Sequence, residues 1–119
     1  MKRILVVEDN NLNMKLFYDI LTYNKFVVEK AFDGIEAYKK IKEDVFDLVI
    51  LDLQLPKLDG FALLEKLQKE KVRIPQIIIV SACAMDKDKN KALEFNIDTY
   101  ITKPIDINNF ITTVVSKLQ

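Results

Sequence analysis

The stretch DLVILDLQLPKLDG, residues 47–60, sets an uncharged run rich in branched side chains, residues 48–51, directly against an acid, Asp52, and then breaks at Pro56. Four apolar residues without polar alternation read as a strand covered on both faces, the habit of a parallel sheet between two layers of helices. A carboxylate is out of place in such a core. It is in place beyond the carboxyl end of the strand, where open α/β sheets bind their ligands.

Working outward, similar runs recur at residues 4–7, 26–28 and 77–80, with a weaker one at 99–102. The segments between them have helical spacing: Leu12, Leu16 and Ile20; Ile35, Tyr38 and Ile41; Phe61, Leu64 and Leu67; Ala92 and Phe95; then Ile107, Phe110, Ile111, Val114, Val115 and Leu118. The alternation is βα repeated five times. It predicts a doubly wound α/β fold, (βα)5, with a five-stranded parallel sheet. Charges interleave only in residues 26–31, which predicts an edge strand there, and the Leu12, Leu16 and Ile20 stripe is expected to be core.

With 119 residues, no linker-like tract and no repeat beyond the βα period, the chain is expected to form one domain, residues 1–119. Lys and Arg number 18, as do Asp and Glu, so no basic excess points to nucleic acid. The apolar runs are far too short to cross a bilayer, and MKR leads into a four-residue run rather than a signal core. A lone Cys83 makes no internal disulfide, which fits the cytoplasm. With no histidine, the chain cannot build a His/Cys metal site, a Ser–His triad or a Cys–His pair, so any metal must be held by oxygen.

In KRILVVEDN, Glu8 and Asp9 emerge at the end of the first strand as Asp52 does from the third. In the flavodoxin-like strand order 2-1-3-4-5 those two ends are neighbours, and three carboxylates would converge in one crevice. Clustered carboxylates raise one another's pKa unless a cation intervenes. Mg²⁺ is the natural one, being held by one or two carboxylates together with waters and phosphate oxygens. Taken singly, an acid after a strand is commonly a helix N-cap, and Asp9 could serve only as that before a helix starting near Asn11. Asp59, before Gly60, reads as such a cap.

The fourth run ends in Ser81 and the fifth in Lys103 and Pro104. A hydroxyl and an ammonium are complementary to the oxygens of a phosphoryl group, although each residue alone reads more readily as a strand terminator or a solvated lysine. Proline after Lys103 admits a cis peptide that would aim the lysine back at the acids.

Together VVEDN (6–10), VILDLQLPKLDG (49–60), VSACAM (80–85) and YITKP (100–104) resemble the receiver domain of bacterial response regulators, the CheY-like family. The resemblance spans essentially the whole chain. EDNNLNMKLFYDIL (8–21) with SACAM (81–85) looks most like single-domain receivers of the DivK type. The resemblance implies that Asp52 accepts a phosphoryl group from a histidine kinase or a histidine phosphotransfer protein. Asp9, Asp52 and the backbone carbonyl of Gln54 would hold Mg²⁺, with Glu8 direct or through water. Ser81 and Lys103 would bind the phosphoryl group, Tyr100 would be a switch aromatic, and Gln54 and Cys83 occupy positions that modulate the phosphate's lifetime.

It further implies a signalling protein in a two-component system or phosphorelay rather than an enzyme, with at most slow self-dephosphorylation. Output would be by contact with a downstream protein, because no effector domain is expected to follow. A donor's helical bundle would dock on Asn11, Met14, Lys15, Phe17 and residues 104–107. Three rivals share the architecture. An FMN binder wants a Ser/Thr/Gly phosphate cradle where EDNNLN (8–13) places acids. A metal-dependent phosphohydrolase wants an acid where Gln54 stands. A receiver-like interaction module without phosphorylation would be expected to have a broken acidic cluster, and here it is whole.

Overall fold

The computed structural model describes residues 1–82, 86–97 and 99–119. Five strands, β1 (Arg3–Val7), β2 (Val27–Ala31), β3 (Leu48–Asp52), β4 (Gln76–Ser81) and β5 (Tyr100–Thr102), alternate with α1 (Asn11–Tyr23), α2 (Gly34–Glu43), α3 (Gly60–Lys69), α4 (Asp86–Glu94) and α5 (Ile107–Leu118). The strands form one parallel sheet in the order β2-β1-β3-β4-β5, the architecture expected from the sequence. Its two edges are β2 and β5, and only the first was signalled by interleaved charge. β5 is three residues long with only Ile101 buried, too short for any pattern to declare itself.

Strand side chains alternate between two cores. Leu5, Val7, Val49, Leu51, Ile77 and Ile79 pack with Ala37, Ile41, Leu63, Leu64 and Leu67 of α2 and α3. Ile4, Val6, Leu48, Ile50, Ile78 and Val80 pack with Met14, Phe17 and Leu21 of α1 and with Phe110 and Val114 of α5. Period-two alternation with both faces apolar is what made these runs continuous in sequence.

The helix phases differ from the sequence expectation in α1 and α2. Leu12 is 79% exposed and Leu16 39%, whereas Met14 and Phe17, placed by the sequence reading on a docking surface, are 1% and 2% exposed. In α2, Ile35 is exposed, Ala37 and Ile41 pack with the strand residues, and Gly34 is buried. α1 carries apolar residues on two sides, Leu12/Leu16 and Met14/Phe17/Leu21, so spacing alone leaves its rotation undetermined. The cap settles it. Asn10, with extended backbone, accepts the Asn13 N–H at 3.0 Å and sets where the first turn begins. Asp59 caps α3 as expected, accepting the Ala62 N–H at 2.9 Å.

With only two glycines, both at helix starts, three helices end on a larger residue in the left-handed region: Lys25 (φ 72°), Lys71 (φ 59°) and Asn96 (φ 62°). Each is followed by an apolar residue whose N–H reaches back into the helix; that of Val72 donates to Leu67 O at 3.0 Å, and that of Ile97 to Ala92 O at 3.0 Å. A lysine in this conformation carries a Cβ penalty that glycine lacks. Lys71→Gly is expected to stabilise the protein by about 0.5–1 kcal/mol, seen as a higher urea midpoint at unchanged slope. A lower midpoint would contradict the assignment of strain.

Candidate functional site: an acidic crevice at the strand ends

The register sets the site. Val7 pairs with Leu51, so Glu8, just past β1, and Asp52, the last residue of β3, stand at the same level. Asp52 pairs in turn with Val80, and Ser81 with Thr102, which brings the β4 and β5 ends alongside. Glu8 is 1% exposed, Asp52 6% and Ser81 fully buried, while Asp9 is exposed. Carboxylate oxygens of Glu8, Asp9 and Asp52 all lie within 4.8 Å of one another. Asp9 is not the cap of α1, that place being taken by Asn10, so its carboxylate has no helix-capping role.

Lys103 arrives from the far end of the chain. Its Nζ donates to Glu8 Oε1 at 2.6 Å and to Asp52 Oδ2 at 3.0 Å. The lysine is held by a cis peptide to Pro104 and by its own N–H, which donates to Ser81 O at 2.9 Å. The remaining carboxylate oxygens are held by backbone: Asn10 N–H donates to Glu8 Oε2 at 3.1 Å and Gln54 N–H to Asp52 Oδ1 at 3.0 Å. Gln54 thus enters the site through its amide, and its side chain is exposed. Tyr100 is half-buried at the β5 edge, with the Lys89 ammonium 5.8 Å from its ring centre. Cys83 lies outside the described residues.

Burial pushes the Glu8 carboxyl above its ordinary range, against the opposing pull of the Lys103 hydrogen bond. For Lys103 burial disfavours the ammonium, but hydrogen bonds and charge from Glu8 and Asp52 outweigh it and raise the amine. The lysine therefore contributes stability that is complete below its unfolded value and lost as pH rises through the folded one. Glu8, also raised, runs the same way: its cost is absent below the unfolded value, grows as pH climbs towards the raised one and is complete above it. Glu8→Gln is accordingly expected to stabilise the chelator-treated protein at neutral pH by about 1 kcal/mol, the usual scale for relieving a strained functional site. Thermal melts with and without Mg²⁺ check it, the variant being expected to gain less from the cation than the wild type does. A lower melting point in chelator would overturn it.

Among the described residues the donor set is oxygen and anionic, which suits a hard divalent cation such as Mg²⁺ better than a softer one. Three features were missed in the sequence: Asn10 as a dual backbone partner and cap, the left-handed Lys57 beside the site (φ 67°), and the tight packing at Gly34 and Gly60. The first had a signal, since Asn directly before a helical run is a strong N-cap residue. The others depend on what the fold brings near. Among the described residues, no helix is long and apolar enough to cross a membrane.

Comparison with known proteins gives a consistent picture. The response regulator receiver domain profile matches residues 4–115. The polar-differentiation response regulator DivK of Brucella ovis is 36% identical over 118 residues, covering 98% of this chain and 96% of the relative. A CheY-like response regulator receiver domain protein from Methanospirillum hungatei superimposes with a TM-score of 0.90 at 30% identity, over 99% of this chain and 94% of that one. The receiver domain of the sensor histidine kinase PA1611 from Pseudomonas aeruginosa, solved with magnesium coordinated in its active-site cleft, has a TM-score of 0.86 at 26% identity, over 98% of this chain and 97% of that one.

Proposed function

Because this chain belongs to the family of response regulator receiver domains, we propose that it is a phosphoacceptor switch: Asp52 takes a phosphoryl group from a phosphohistidine, and the acyl phosphate changes which proteins it binds. The observation that carries the reading is the meeting of Glu8, Asp9, Asp52 and Lys103 in one crevice from three separate strand ends.

In the transfer step an Asp52 carboxylate oxygen attacks phosphorus, the O–P bond forms and the P–N bond breaks. The imidazole leaves with the electron pair. A carboxylate is a competent nucleophile for this chemistry, which demands mainly alignment and charge neutralisation. Gln54 N–H holds one carboxylate oxygen and Lys103 the other, which restricts the group's rotation before attack. Asp9, Asp52 and the Gln54 carbonyl would hold Mg²⁺, with Glu8 direct or through water, and the ion would neutralise charge on the transferring oxygens. Lys103 and the Ser81 hydroxyl then supply donors to the phosphoryl oxygens.

Rearrangement around Ser81 and half-buried Tyr100 would carry the signal to the surface. Donor docking falls to Leu12, Leu16, Asn11 and Lys15 rather than to buried Met14 and Phe17. Leu16 also lines a cleft of about 370 Å³ that includes Lys103, Pro104 and Ile105, beside the acceptor. Partners are thus a histidine kinase or histidine phosphotransfer protein and a downstream protein target, in the cytoplasm, and neither nucleic acid nor membrane. The chain signals rather than turns over a substrate, shedding its phosphate at most slowly.

Incubation with acetyl phosphate and Mg²⁺ tests the reading. One phosphoryl group is expected to add to the intact protein by mass, with little addition in excess chelator. No mass gain at any Mg²⁺ concentration would refute it.

A further inference from the structure

Gly34, the first residue of α2, lies against the loop that follows the acceptor strand. A Cβ at Gly34 would sit 1.8 Å from Leu58 O and 2.7 Å from both its carbonyl carbon and its Cβ. No side chain fits there without the loop moving, because the obstacle is main chain. Beside it Asp33 caps α2 by accepting the Glu36 N–H at 2.8 Å and also receives the Lys57 ammonium at 3.4 Å. Lys57 is the strained member of the loop: its φ is 67°, and Leu58 N–H closes a three-residue turn across it to Pro56 O at 2.7 Å.

A strained turn persists only where its surroundings over-determine it. Here the loop is pinned at both ends as well as backed in the middle. It begins with Gln54 N–H on Asp52 Oδ1 and closes with Gly60 N–H on Leu53 O at 3.0 Å. A Cβ at Gly60 would stand 2.9 Å from Leu53 Cα, so the closing contact is equally tight. The residue that orients the Asp52 carboxylate and the turn pressed on α2 therefore belong to one short, fully constrained segment.

Resting on the phosphoacceptor reading above, we infer that the amino terminus of α2, Asp33 with Gly34, is a positioning element for the acceptor: it holds the Lys57 turn so that Gln54 N–H stays aimed at Asp52. A glycine needed only for packing would cost stability and nothing else. A positioning glycine moves the Gln54 amide.

The deciding measurement is the backbone amide spectrum of the full ¹⁵N-labelled chain in chelator, comparing wild type, Gly34→Ala and Ile41→Val, the last a core loosening at the other end of α2. Gly34→Ala is expected to shift the Gln54 and Leu58 amides and raise Gln54 exchange at least about tenfold, while Ile41→Val leaves both in place. Calorimetric Mg²⁺ affinity should fall about tenfold, as when a partner behind a metal ligand is removed. If Gly34→Ala does not fold, Lys57→Met decides: the same amides shift, and Mg²⁺ binding weakens about two- to fivefold, the range of an exposed ion pair. A Gln54 amide unmoved in the folded variant overturns the inference. Failure of the phosphoacceptor reading looks different, since wild type itself would take up no phosphoryl group while the amide in chelator still reports on the clamp.

Discussion

Asp52→Ala is expected to take up no phosphoryl group from acetyl phosphate under conditions that label the wild type, and to bind Mg²⁺ at least about tenfold more weakly, a loss of about 1.4 kcal/mol. The substitution removes both the proposed nucleophile and one carboxylate of a three-carboxylate cluster. The nearest replacements cannot substitute: Glu8 is committed to Lys103 and the Asn10 amide, and Asp9 lies exposed at the rim. The variant should still fold, because Lys103 retains Glu8 as a partner and the removed charge was itself costly to bury. Mass spectrometry of the intact chain reads the first effect and calorimetry the second. A phosphoryl group retained by Asp52→Ala would move the acceptor elsewhere.

The largest effect on stability is expected at Phe110→Ala. Phe110 is fully buried and its ring centre stands 5.2 Å from that of Phe17, tying α5 to α1 on one face of the sheet. Truncation removes the ring and leaves a cavity between two helices that the rigid sheet behind them cannot fill, so a loss of about 3–5 kcal/mol is expected. Against a total stability of order 5–15 kcal/mol that is enough to bring the protein near unfolding at physiological temperature. Urea denaturation checks it, and a loss below 1 kcal/mol would mean that α1 and α5 close over the gap. Because α1 and the residues before α5 flank the acidic crevice, the variant should also label more slowly.

Much of the site could be read from the chain before folding. Apolar runs mark where strands end, and Glu8, Asp9, Asp52, Ser81 and Lys103 each follow such a run. In a parallel sheet all those ends lie on one side, so identifying the strands amounts to identifying the crevice. Tyr100 and Lys103 were harder, since β5 is three residues long and its register is set by β4 rather than by its own pattern.

Local sequence, then, determined the order and type of elements, the parallel sheet and the set of residues at its carboxyl end, because hydrophobic period and cap chemistry act over a few residues. Tertiary structure alone decided the rest. It chose Met14, Phe17 and Leu21 over Leu12 and Leu16 as the buried face of α1, two faces the local pattern leaves equivalent. It joined Lys103 to Glu8 across 95 positions, and it pressed Gly34 onto Leu58. Such contacts depend on where separate elements pack against the sheet, and no window of sequence contains both partners.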